Sequence, residues 1–93
     1  MSKQPARPAT LDHLQSFLEN TRGQITIGEI PPIRRAALAA VGKKAHVALV
    51  CRDDETIQDL LLRLDTAVSK AMREDAVIDE VIPEIKRRRS TRS

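Results

Sequence analysis

Apolar positions along the chain fall into runs whose spacing predicts the local structure. Leu11, Leu14, Phe17 and Leu18 share one face of a helix ending near Thr21. Thr10 suits its N-cap, Asp12 its first turn and Gly23 its end. Gln24-Ile25-Thr26-Ile27-Gly28 alternates polar and apolar, as a half-buried strand does. Pro31 and Pro32 suit the first turn of a helix over 31–41 that carries Ile33, Ala36, Ala37, Leu38, Ala40 and Val41 and stops at Gly42. His46-Val47-Ala48-Leu49-Val50-Cys51 is apolar on both faces and predicts a buried strand. The longest pattern is Ile57, Leu60, Leu61, Leu64, Val68, Ala71 and Met72, one stripe of a helix over 53–73. Asp53, Asp54 and Glu55 charge the start of that helix, and Asp59 stands four residues before Arg63, the favourable order for an exposed ion pair. Leu61 and Leu64, central to the stripe, are expected in the main core.

Residues 76–82 fit two structures. Val77, Ile78, Val81 and Ile82, with Ile85, suit a helix capped by Asp75 and ended by Pro83, whereas their β-branched content suits a short strand. The expected fold is α/β in the α+β sense: a small two- or three-stranded sheet packed by three to four helices. Its compact domain covers residues 10–85, between a disordered arm at 1–9 and a disordered basic tail at 86–93. Two strands make a marginal sheet, and the 57–72 stripe is longer than such a sheet covers. Both point to a homodimer.

Composition narrows the function. The chain has 93 residues, one aromatic (Phe17) and no Trp or Tyr, so it lacks the set of rings on which single-stranded bases stack, and an RRM-like or OB-like role is not expected. The single Cys51 forms no internal disulfide, no apolar run reaches membrane-spanning length, and the first residues lack a secretory apolar core, which together predict a cytoplasmic, non-membrane protein. No Gly-rich phosphate loop, zinc-like His/Cys spacing or nucleophile elbow is present, so no catalytic residue, metal or cofactor is assigned. Cys51, at a strand end before a helix, reads as a small core residue rather than a reactive thiol. Residues 46–68 resemble the strand and first helix of a ribbon-helix-helix repressor. Ala48 and Val50, however, occupy the places where such a strand reads base edges, and no Gly break follows the helix.

Net charge is +3, and its distribution matters more than its sum. Residues 1–52 carry eight Lys/Arg against three Asp/Glu, residues 53–85 three against ten, and residues 86–93 five against none. The basic groups are Lys86, Arg87, Arg88, Arg89 and Arg92 in the tail, and Arg34, Arg35, Lys43 and Lys44 around the 31–41 segment. Cations of this kind hold phosphates without reading sequence. The expected function is therefore a small, non-catalytic DNA-associated accessory or regulatory protein, its core dimerising and its basic residues contacting duplex phosphates. The alternative is a protein-binding module (an inhibitor, antitoxin or adaptor) that presents the acidic amphipathic helix 53–75 to a basic protein partner.

Overall fold

A computed structural model describes residues 10–90. The element order is α1 (Asp12–Asn20), β1 (Gly23–Ile30), β2 (Ile33–Val41), β3 (Lys44–Val50), α2 (Ile57–Glu74), β4 (Ile78–Asp79) and α3 (Val81–Ser90). The strands form one sheet in the order β1-β2-β3-β4. The first three pair antiparallel, and the two-residue β4 adds parallel to β3. The α+β class holds, with four strands and three helices where a smaller sheet was expected.

The extra strand is β2, at the place expected for a helix. Pro31 and Pro32 form the turn between Ile30 and Ile33, which are cross-strand partners. The helical reading had a physical basis, because Ile33 and Ala36 do share a face. They share it through a bulge, in which β1 advances two residues from Gly28 to Ile30 while β2 advances three from Ala36 to Ile33. The additional residue at Arg34-Arg35 resets the alternation. Beyond it, Ala37 and Ala39 join one core cluster while Ile33 and Ala36 join the other. A central strand covered on both faces selects small side chains, and this packing overrides the helix preference of alanine. Gly42 is not a helix end. Val41 pairs with Lys44, so Gly42 and Lys43 form a two-residue hairpin loop, and Gly42 takes φ 60° at its first position.

Two apolar clusters lie on opposite faces of the sheet. Helices α1 and α2 cover one face with Leu14, Phe17, Leu60, Leu64, Val68 and Ala71 over Ala37, Ala39, Val47 and Leu49. Leu64 is fully buried as expected, but Leu61 is only partly buried and Leu60 takes the central position. On the other face, Val81 and Ile85 of α3 cover Ile33, Ala36 and Ala48. The approach of α1 to the sheet is close at Gly23, where a Cβ would come within 2.5 Å of the Phe17 ring.

Helix ends differ from the expected ones in an instructive way. Thr10 does not cap α1. Leu11 occupies the N-cap position with no side-chain bond, and the buried Asp65 of α2 accepts from the Leu14 N–H at 2.8 Å. The cap comes from a residue 51 positions away, so it satisfies an orphan donor and ties the two helices together. Helix α2 is capped by Thr56, whose hydroxyl accepts from the Asp59 N–H at 3.1 Å, rather than by Asp53, Asp54 or Glu55. Its C-terminus ends on Asp75 in the left-handed region (φ 51°), with the N–H groups of Asp75 and Ala76 both donating to the Ala71 carbonyl. Residues 76–82 resolve into both of their alternatives in succession, first β4 and then the start of α3. Asp79 caps α3, accepting from the N–H groups of Val81 and Ile82 at 2.8 and 3.1 Å, and Pro83 lies in the first turn, where it is tolerated.

The tail also differs. Lys86–Ser90 continue α3 as helix, where disorder was expected from residue 86. The arm at 1–9 and Arg92 in the tail lie outside the described residues.

Candidate nucleic-acid interface

The β2 bulge and the chain that leaves β3 build a basic concavity. At Arg34-Arg35 two successive side chains are exposed. Their backbone stays paired, because the Arg35 carbonyl accepts from the Cys51 N–H at 3.0 Å. That bond places Arg52 beside Arg35. From the α3 side comes Arg88, whose guanidinium donates to the Pro32 carbonyl at 3.1 Å across the β1–β2 turn. Arg34, Arg35, Arg52 and Arg88 thus line a polar basin of about 410 Å³, with Glu29 and Asp53 as its acidic members. Among the described residues, Arg34, Arg35 and Arg52 form no ion pair, so their guanidinium groups keep the donors that a phosphate would take.

Glu84 controls the α3 side of this basin. Its carboxylate accepts from Arg87 at 2.6 and 3.1 Å and from Arg88 at 2.7 Å. Hydrogen bonds from Arg87, then Arg88, hold the Glu84 carboxyl below its ordinary pKa, and Arg87 is raised in turn. Lys86, Arg87 and Arg88 are exposed on α3, while Arg89 lies on the same helix with its side chain outside the described set. Lys43 and Lys44 are at the opposite end of β2, roughly 25 Å from the basin at about 3.3 Å per strand residue, and belong to a separate place on the surface. The structure therefore brings together Arg34, Arg35 and Arg88 of the expected basic residues, adds Arg52, and leaves the two lysines apart. Arg52 had a signal in the sequence: a hairpin closed at Gly42-Lys43 sets the neighbourhood of residue 35 against that of residue 51.

A second arginine has the opposite surroundings. Arg63 of α2 does not pair with Asp59. It donates to Glu55 at 2.8 and 3.0 Å, to Glu80 at 2.9 Å and to the Val50 carbonyl at 2.7 Å. Glu55 also accepts from the Arg52 N–H at 3.0 Å, and Glu80 from the Val50 N–H at 3.0 Å. The knot fastens α2, the end of β3 and the β4–α3 junction to one another. The Arg63 hydrogen bonds lower the Glu55 carboxyl to a pKa of about 2, and they raise Arg63 itself.

Half of the acidic segment is occupied from within. Of its ten carboxylates, Glu55 and Glu80 hold Arg63, Asp65 caps α1, Asp79 caps α3, and Glu84 holds Arg87 and Arg88. Cys51 is half-buried against the main core, its thiol donating to the Glu55 carbonyl at 3.4 Å. Among the described residues no three His, Cys, Asp or Glu side chains are placed to share a metal ion, and no helix is long and apolar enough to cross a membrane. No protein-family model, curated protein or solved structure matches the chain.

Proposed function

We propose that the protein is a non-catalytic nucleic-acid-associated protein that grips duplex DNA by its phosphates through the basin of Arg34, Arg35, Arg52 and Arg88, with Lys86 and Arg87 beside it. The observation that carries this reading is the convergence of four arginines from three separate segments on one concave surface, where carboxylates are the minority. Guanidinium forks match phosphate oxygens, and strand β2, the segment after β3 and helix α3 bring them to one surface. Binding of this type is electrostatic, indifferent to sequence and steeply salt-dependent.

The alternative, an acidic helix offered to a basic protein, has less support. Within 53–75 Glu55 holds Arg63 and Asp65 caps α1, and beyond it Asp79, Glu80 and Glu84 are engaged as well, so fewer carboxylates are left for a basic partner to meet.

The test is binding of the full chain to random duplex DNA over a range of salt concentrations, read by fluorescence anisotropy. Replacing Arg34, Arg35 and Arg52 together by Gln is expected to weaken binding at low salt and to reduce the salt slope by about 0.9 for each phosphate no longer neutralised. The circular dichroism spectrum is expected to stay unchanged. Equal binding and slope in the triple variant, or no binding by the native chain at low salt, overturns the reading. Substitution is a better test than removing residues 86–93, which would also cut into α3.

A further inference from the structure

We infer that the outer edge of β1 is a self-association surface, on which a second copy of this chain adds antiparallel to give one continuous eight-stranded sheet. The two edges of the sheet are unlike. On one side β4 is two residues long, and the chain turns at once into α3, which folds across the sheet face. On the other side β1 runs eight residues and has a single neighbour, β2, among the described residues. Its pairing with β2 is regular from Gly23 to Gly28, so the strand is straight where a protected edge would bulge. It holds no Pro and no Lys, and its only charge is Glu29 near its end. Protected edges are shortened, bulged, charged or covered; among the described residues the Gly23–Gly28 stretch has none of these devices and is a template for another strand.

Closed symmetry selects the direction of pairing. A two-fold axis perpendicular to the sheet sets the two β1 strands antiparallel and keeps the faces matched, so the residue on the axis faces itself. With Thr26 on the axis, Ile25 of each copy opposes Ile27 of the other, and Gln24 opposes Gly28. Shifting the axis to residue 27 would oppose Ile25 to Glu29. Ile25 and Ile27 are only partly buried at the margin of the main core, and Leu18, on the adjacent α1, is 47% exposed. A second copy would cover all three on the face that α1 and α2 already occupy. The long stripe of α2, by contrast, gives no reason to dimerise, because Leu60, Leu64, Val68 and Ala71 are covered by the chain's own sheet and α1.

Thr26 is exposed and faces away from α1 and α2, so it tests the register without disturbing the core. The full chain is expected to sediment at twice 10.4 kDa at micromolar concentration. Thr26→Lys and Thr26→Glu each place like charges directly opposite across the axis, and each is expected to weaken the dimer at least ten-fold with an unchanged circular dichroism spectrum. Mixing the two variants is expected to restore a dimer, now a heterodimer. A monomeric native chain, or a dimer whose strength neither variant changes, overturns the inference. If one variant fails to fold, the other decides alone. The dimer is independent of phosphate binding, so the Arg34, Arg35 and Arg52 substitutions leave it intact.

Discussion

Arg63 and the arginines of the basin differ in what surrounds them rather than in their own chemistry. Arg63 has two carboxylates and a carbonyl within 3.0 Å, drawn from the α2 approach, β3 and the β4–α3 junction. Arg34, Arg35 and Arg52 share a concavity with two carboxylates and pair with neither. A guanidinium with four of its five N–H donors answered internally serves the fold, and it has little left for a ligand. One whose donors point into a solvent-filled basin contributes little to stability and is available for binding. Net charge by segment misses this distinction, because it counts Arg63 and Arg52 alike.

The largest expected effect tests that contrast directly. Arg63→Ala leaves Glu55 and Glu80 without their counter-charge, and Glu55 has only 9% of its side chain exposed. Removing one partner of a desolvated pair costs several kcal/mol, so a loss of about 3 kcal/mol in urea denaturation is expected. Arg52→Ala changes an exposed side chain, and its expected effect on the same measurement stays within about 0.5 kcal/mol. Similar losses at the two positions would erase the comparison.

The same knot has a pH signature. Glu55 is depressed from 4.5 to about 2 in the folded chain. Its contribution is complete above the unfolded value and is lost as pH falls through the window between the two values. At about 1.4 kcal/mol per unit of separation, most of the loss falls between about pH 5 and about pH 3, where it amounts to about 2 kcal/mol. Glu55→Gln has no carboxyl to protonate at this place, so its stability is expected to fall less over that interval. Parallel curves for the native chain and the variant would mean that Glu55 is not the group responsible.

The contrast also marks what a reading of the sequence can reach. Helix α2 was legible from its stripe, because seven apolar residues at helical spacing admit one structure. Strand β3 was legible from its unbroken apolar run. Strand β2 was not: a bulged central strand and an alanine-rich helix both place Ile33 beside Ala36, and the choice is made by the packing of helices on both faces of the sheet. The caps failed for a related reason. Thr10 and the Asp53–Glu55 run satisfy local rules, while the cap of α1 belongs to Asp65 on another helix, a long-range partner that no local window contains. The Asp59–Arg63 pair satisfied the i, i+4 rule, yet Arg63 finds more acceptors in the tertiary structure. Basic residues at 34, 35 and 88 were named from charge alone, and their convergence, with Arg52, depended on the hairpin that the helical reading of 31–41 concealed.

Glu84 stands between the two kinds of site and gives the smallest and sharpest test. It holds Arg87 and Arg88 as the knot holds Arg63, but through exposed pairs on one turn of α3, and it reaches the basin only through Arg88. Exposed i, i+3 and i, i+4 pairs contribute little to stability, so Glu84→Gln is expected to leave the urea midpoint nearly unchanged. Its effect on DNA has a definite sign. The substitution relieves both arginines of a counter-charge that a phosphate must otherwise displace or oppose, while the amide oxygen still offers Arg88 an acceptor. Duplex binding at low salt is therefore expected to tighten by a few-fold, with the salt slope steeper by up to about 0.9 for each arginine newly engaged with phosphate. The opposite result is equally informative. If Glu84→Gln weakens binding, the carboxylate acts by fixing Arg88 against the Pro32 carbonyl, and orientation outweighs charge at the basin. If binding is unchanged while the Arg34, Arg35 and Arg52 substitutions still reduce it, phosphate binding belongs to the strand side alone, and α3 serves only as a cover for Ile33 and Ala36.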